Sequence, residues 1–310
     1  MEKQKAQRSL KRRAPVGEGV KMAKSPAHRF GQIIGDLLEL TIINYCRPIA
    51  EEYGMYLDYK HKRPARNGRK EVIWADVNEN KHKLDIVIEE KGSEFVMGHP
   101  RAFIEMAWRR YTKHSKNKAQ EISGAIKPLI SRYNIYLPFF GAVLAGDFTD
   151  NSLRQLKSEG FRILYFSMAE IEKAFATQGI DAHWEEDTTE EELQKRVEQY
   201  EALTQEQTDV IAKALLDNNQ RQLTAFCDGL RDALQSKVTG IDVVTLYGSS
   251  NECSNAADAC AHISKGISTQ TLGAEHFYQY EIVIKYSNGE KIPLPFQSQE
   301  DAVRALNKLF

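Results

Sequence analysis

Two carboxylates set in or beside apolar runs constrain this chain more than any other feature. The stretch from His82 to Ile122 reads HKLDIVIEEK, then a short connection, then RAFIEMAWRRYTKHSKNKAQEI. Asp85 and Glu105 lie at the β-prone segments Leu84 to Ile88 and Ala102 to Ile104, and a helical pattern thick with Arg, Lys and His follows at once. Carboxylates on neighbouring strands can share a divalent cation, because hard cations take oxygen ligands and need their charge balanced. A cationic helix beside them offers charge to a phosphate.

The flanking chain supplies a framework for such a pair. From His28 to Tyr53, apolar residues (Phe30, Ile33, Ile34, Leu37, Leu38, Ile42, Tyr45) recur at three and four, the period of a helix with one buried face. Gly31, Gly35 and Glu39 form a separate i, i+4 row on it. Glycine is costly inside a helix, so two on one row predict close backbone approach to a neighbour, with Glu39 carried toward it. Residues 54–60 read as a strand, and 61–70 (HKRPARNGRK) as a basic loop suited to the phosphates of a duplex. EVIWADVNENKHKLDIVIEE reads as a hairpin turning at 78–81, its second strand carrying Asp85, Val87 and Glu89 on one face. A strand over 102–105 comes next.

A helix from about residue 107 then carries the apolar stripe Trp108, Ser115, Ala119, Ile122, Ile126 and Leu129, and Pro128 is expected to kink or end it. One row beside the stripe holds Arg110, His114, Lys118 and Glu121; another, with Arg109, Lys113 and Lys116, faces solvent or DNA. Residues 138–148, 149–160, 161–167 and 168–179 alternate strand, helix, strand, helix, which implies a mixed sheet covered on both faces. At His183 the composition turns acidic, Gln-rich and helical, with a capping box at Thr188/Thr189 to Glu191/Glu192. The C-terminus closes as a small ββα module: a hairpin over residues 277–296, then a capped helix. The expected division is a flexible basic arm over 1–27, a core over 28–182, and a helical linker plus α+β module over 183–310 for oligomerisation, partner or DNA contact.

Charge is segregated along the chain. Residues 1–132 hold 27 Lys+Arg against 16 Asp+Glu, and the remainder holds 15 against 27, which points to a polyanion-binding front end. No apolar run approaches the roughly 20 residues of a membrane span, and the basic N-terminus lacks a secretory apolar core, so a cytoplasmic location is expected. Four scattered cysteines (Cys46, Cys227, Cys253, Cys260) read as buried free thiols rather than a disulfide framework or, with His262, a zinc site. Motifs for nucleotide binding, for a serine-hydrolase elbow and for a zinc protease are absent.

At Asp85 and Glu105 the chain resembles the PD-(D/E)xK nuclease superfamily, to which many restriction endonucleases belong. The resemblance spans about residues 28–180 and includes the element order: helix, antiparallel strands, helix, strand. It implies an α/β, restriction-endonuclease-like mixed sheet flanked by helices. It also implies magnesium (manganese as a substitute) held by Glu39, Asp85 and Glu105. The superfamily lysine after the strand acid is Ala107 here; some members place the cation on the following helix, where Lys118 is the first candidate and Lys113 the second. Glu89-x-Lys91, with Asp76 upstream, spells an alternative site. The resemblance implies a magnesium-dependent DNA endonuclease of restriction or anti-phage defence type, with Arg109, Arg110, Lys113, His114 and Lys116 on the nucleic acid. A homodimer through the C-terminal half is expected, possible defence-system proteins are further partners, and no membrane is involved. The alternative is a catalytically inactive nucleic-acid-binding or assembly protein of the same fold.

Overall fold

The structure, a computed structural model, describes residues 25–111, 115–247 and 277–307. Helix α1 (Pro26–Glu52) starts where Ser25 accepts a hydrogen bond from the His28 amide, with Pro26 in the first turn. Its buried face is the one the periodicity predicts, Phe30 to Ile49. Of the two glycines expected to admit a close neighbour, only Gly31 has one: a Cβ there would meet Trp108 Nε1 at 3.3 Å. Gly35 faces open space, which corrects the expectation for that position.

A five-stranded mixed sheet lies against α1, in the order β1-β4-β5-β6-β7: β1 (Tyr56–Tyr59), β4 (Ile86–Glu90), β5 (His99–Arg109), β6 (Phe139–Gly146) and β7 (Arg162–Ser167). The first three strands pair antiparallel and the last three parallel. The expected long hairpin strand is broken. Residues Lys81–Leu84 (β3) pair with Val72–Ala75 (β2) as a separate two-stranded sheet, whereas β4 joins β1 and β5. Asp85 is the residue at which the chain changes partners.

β5 is also longer than expected. Residues 106–109 stay extended because they pair in parallel with Val143–Gly146 of β6, and helix α2 (Ser115–Tyr133) begins only afterwards. Trp108, Arg109 and Arg110 therefore do not share a helix face with Lys118. Pro128 does not end α2, since buried Ile126 and Leu129 hold the helix on the sheet on either side of it. α2 and α3 (Asp150–Ser158) are the crossovers between parallel strands, and cover the face that carries Phe103, Ala107, Ala142 and Leu144.

The opposite face carries Ile86, Ile88, Ala102 and Ile104 against α1, α4 (Met168–Ala176), α5 (Glu190–Glu201), α6 (Gln205–Asn218) and α7 (Gln220–Gln235). The composition shift at 183 marks no break in packing. Trp184 sits edge-on to Phe30, with ring centres 5.4 Å apart, and Leu193, Val197, Ile211 and Phe226 belong to the same apolar cluster as α1. The Thr189–Glu192 capping box is formed. Beyond α7, β8 (Val238–Tyr247) adds a third strand to the β9–β10 hairpin (Phe277–Tyr286, Lys291–Phe296), in the order β10-β9-β8. With α8 (Gln299–Leu306) this module has its own core of Ile282, Ile284, Tyr286 and Ala302, closed against Ile135. Residues of the expected basic arm up to 24, and Cys253, Cys260 and His262, lie outside the described residues; Cys46 and Cys227 are buried free thiols. No helix among the described residues is long and apolar enough to cross a membrane.

Candidate active site

Register brings the two carboxylates together. Ile86 pairs with Ile104, so the next pair along antiparallel β4 and β5 is Asp85 and Glu105. Glu105 alternates with Phe103 and Ala107, both in the apolar cluster on the α2 side. Two side chain to backbone hydrogen bonds lock the pair: the Asp85 amide donates to Glu105 Oε1 at 3.3 Å, and the Met106 amide donates to Asp85 Oδ2 at 2.7 Å.

Burial and like charge dominate the electrostatics. Glu105 is 7% exposed. Removal from water and then the neighbouring Asp85 charge push its carboxyl up from 4.5 to about 8, against the Asp85 amide and the Lys118 ammonium. Asp85 is raised as well, by burial first, while the Met106 amide and Lys118, Lys83 and Lys60 oppose the shift. Near neutral pH, without a cation, the pair holds a proton, because two buried carboxylates side by side resist double ionisation.

Lys118 of α2 is the lysine whose charge bears on both acids. Ala107, where the superfamily lysine is expected, is buried in the same cluster as Ala119 and Ile122. α2 thus lies over that position and supplies its own lysine one turn in. The Lys118 ammonium stands 3.4 Å from Glu121 Oε2, and its charge reaches both Asp85 and Glu105. Lys113 and His114 lie outside the described residues.

Glu39 is near enough for Asp85 to act on it. Its carboxyl is raised by burial first and by the Asp85 charge second, with Lys60 and Lys83 opposing. Even so, no three Asp, Glu, His or Cys side chains among the described residues stand together as a ready metal cluster. The three acids expected to share an ion are thus a locked pair plus a neighbour. The donor set suits a hard divalent cation: two carboxylates face each other, both disfavoured as bare anions, and a cation would relieve that cost.

The expected nucleic-acid-binding residues divide. Lys116 is exposed in the first turn of α2. Arg109 donates to the carbonyl of its neighbour Trp108 at 2.8 Å. Arg110 is engaged inside the fold: it pairs with Asp147 at 2.9 Å and Glu185 at 3.3 Å, donates to the Trp184 carbonyl, and lies over the Trp184 ring.

The alternative motif is occupied by other work. Both Glu89 oxygens accept from Arg63, at 2.7 and 2.9 Å, and Oε2 also accepts from the Gly98 amide at 2.7 Å. Asp76 caps the β2–β3 turn through the Asn78 and Asn80 amides and His82, which holds its carboxyl down at about 2. Neither leaves a bare carboxylate for an ion. The basic loop is likewise not wholly a solvent surface, since Arg63 and Arg66 are buried in it.

Lys60 and Lys83, both acting on Asp85 and Glu39, were not singled out by the sequence. Their signal was the strand register, invisible until β1 and β4 are known to pair. Among known protein families no model matches the chain, and no curated protein matches it either. A solved structure, titled as that of a protein of unknown function, AF1548, aligns at 14% identity over 61% of this chain and 97% of its own, with a TM-score of 0.26.

Proposed function

We propose that the protein is a metal-dependent endonuclease that hydrolyses DNA phosphodiester bonds, built on a restriction-endonuclease-like core. One observation carries the reading: Glu105, buried, and Asp85, half-buried, are locked side by side, with the Lys118 charge bearing on both. Acids with raised pKa beside a lysine are costly to the fold and characteristic of working sites. Asp85 and Glu105 would hold the ion, magnesium by the resemblance, with Glu39 beside them. When bound, it supplies Lewis acidity that lowers the pKa of water and balances charge on the phosphate. Lys118 adds electrostatic stabilisation of the developing negative charge, and the basic front half of the chain attracts the polyanion. A restriction or anti-phage role and a homodimer belong to the same proposal.

The test is cleavage of a supercoiled plasmid in magnesium and in EDTA. Wild type should cut only with the metal. Asp85→Ala and Glu105→Ala should lose roughly a thousandfold or more, and Lys118→Ala on the order of tenfold to a thousandfold, the scale of one electrostatic donor. Equal cutting by all four proteins would reject the site. The second reading, duplex binding without catalysis, is favoured by Ala107 in place of the motif lysine. Salt-sensitive binding with no cleavage under any divalent metal would establish it.

A further inference from the structure

We propose that Lys60 and Lys83 form the phosphate-backbone clamp of this site, gripping the strand on the side of the sheet away from the parallel strands. The inference rests on the nuclease reading and adds which residues seat the substrate.

Register supplies the geometry. Tyr59 of β1 pairs with Ile86 of β4, and Ile86 pairs with Ile104 of β5. The next row, read across the three strands, is Lys60, Asp85, Glu105. Lys60 follows the last residue of β1, the edge strand of the sheet, so no further strand of the described residues lies beyond it. Lys83 comes from a different element, β3, two residues ahead of Asp85 where the chain leaves the small hairpin. Both lysines are exposed, while Glu105 is buried and Asp85 half-buried. Their charges nevertheless reach Asp85 and Glu39.

Among the described residues neither ammonium is firmly committed elsewhere. Lys83 has only a long contact, 3.9 Å, to Glu71, with both side chains about half exposed, a kind of pair that contributes little. The Lys60 ammonium makes no hydrogen bond or ion pair with the described residues. Lys118 arrives from a third element, α2, and its charge bears on both acids. Lysines from three elements thus act on Asp85, and two of them, uncommitted among the described residues, can meet successive phosphates. A small anion would be served by one; a spread set fits a chain of phosphates, each neutralised with release of a counterion. Lysine serves here as a point charge that positions the strand rather than reading bases.

The experiment measures binding and cutting separately. Fluorescein-labelled duplex DNA is titrated in magnesium with Glu105→Gln and with the same protein carrying Lys60→Ala and Lys83→Ala, at several salt concentrations. Cleavage of the same duplex is followed in the Glu105 background. The double change should weaken binding by about tenfold or more and lower the salt slope by about two. It should also raise KM with little change in kcat, and Lys60→Arg with Lys83→Arg should restore affinity. Unchanged affinity and slope, with wild-type cutting, would overturn the clamp and leave the nuclease reading standing. A wild type that neither binds nor cuts the duplex would overturn both. Loss of cutting alone, with binding intact, would also overturn the clamp. A melting curve for each variant guards against misfolding, which two exposed lysines should not cause.

Discussion

Two groups of buried charge lie on the same sheet, and they are built to opposite ends. At one end of β4, Arg63 is fully buried between Asp58, at 2.8 Å, and Glu89, at 2.7 Å; it also donates to the Ser93 and Val96 carbonyls. Its donors are aimed at acceptors, and the loop between β4 and β5 is pinned as a result. At the other end, Asp85 and Glu105 face each other with no arginine paired to them among the described residues; two amides and the charges of Lys118, Lys83 and Lys60 oppose their mutual repulsion. The first cluster balances its charge from within the chain. The second sets two like charges side by side, with lysines acting from a distance, and in the proposed reading that difference separates a site that supports the fold from one that binds a cation.

Removing one partner from each cluster should break the comparison most sharply. Arg63→Ala leaves Glu89 buried without its guanidinium, and Asp58 with only the longer 3.4 Å contact to Arg66, and should destabilise the protein by roughly 3–5 kcal/mol in urea unfolding. Asp85→Asn, at the other end, should cost far less or stabilise. A larger loss for Asp85→Asn than for Arg63→Ala would invert the assignment of roles.

A smaller effect follows from the titration of Glu105. Its carboxyl sits near 8 in the folded chain against an ordinary 4.5. The native state therefore binds a proton that the unfolded state releases. The stability contributed is complete below about pH 4.5 and is lost as pH rises through about 8. Glu105→Gln removes that titration. Relative to their difference at pH 4, the variant should gain on wild type by up to about 5 kcal/mol at pH 9. Parallel stability curves for the two proteins between pH 4 and pH 9 would show that Glu105 is not held protonated.

Much of this was legible in the chain, and the misses share a cause. The face of α1, the strands β6 and β7, and the two acids could be read from local period and apolar context. The length of β5 could not: residues 106–109 are extended only because β6 is there to pair with, and local pattern favours a helix. The break at Asp85 was hidden for the same reason, since KHKLDIVIEE reads as one strand until two different partners claim its halves. Arg63 looked like part of a phosphate-facing loop because burial of a single arginine depends on acids 5 and 26 positions away. The E-x-K at Glu89 shows the converse: a motif can be intact in the sequence and spent in the fold.

The most direct test of the claim that the Asp85–Glu105 pair awaits a cation is manganese titration of the wild type at pH 7 in weak buffer, with heat and proton release followed together. Binding should displace about one proton per ion, and both signals should vanish in Asp85→Asn with Glu105→Gln. Manganese that fails to bind the wild type, or binds the double variant equally well, would contradict the account.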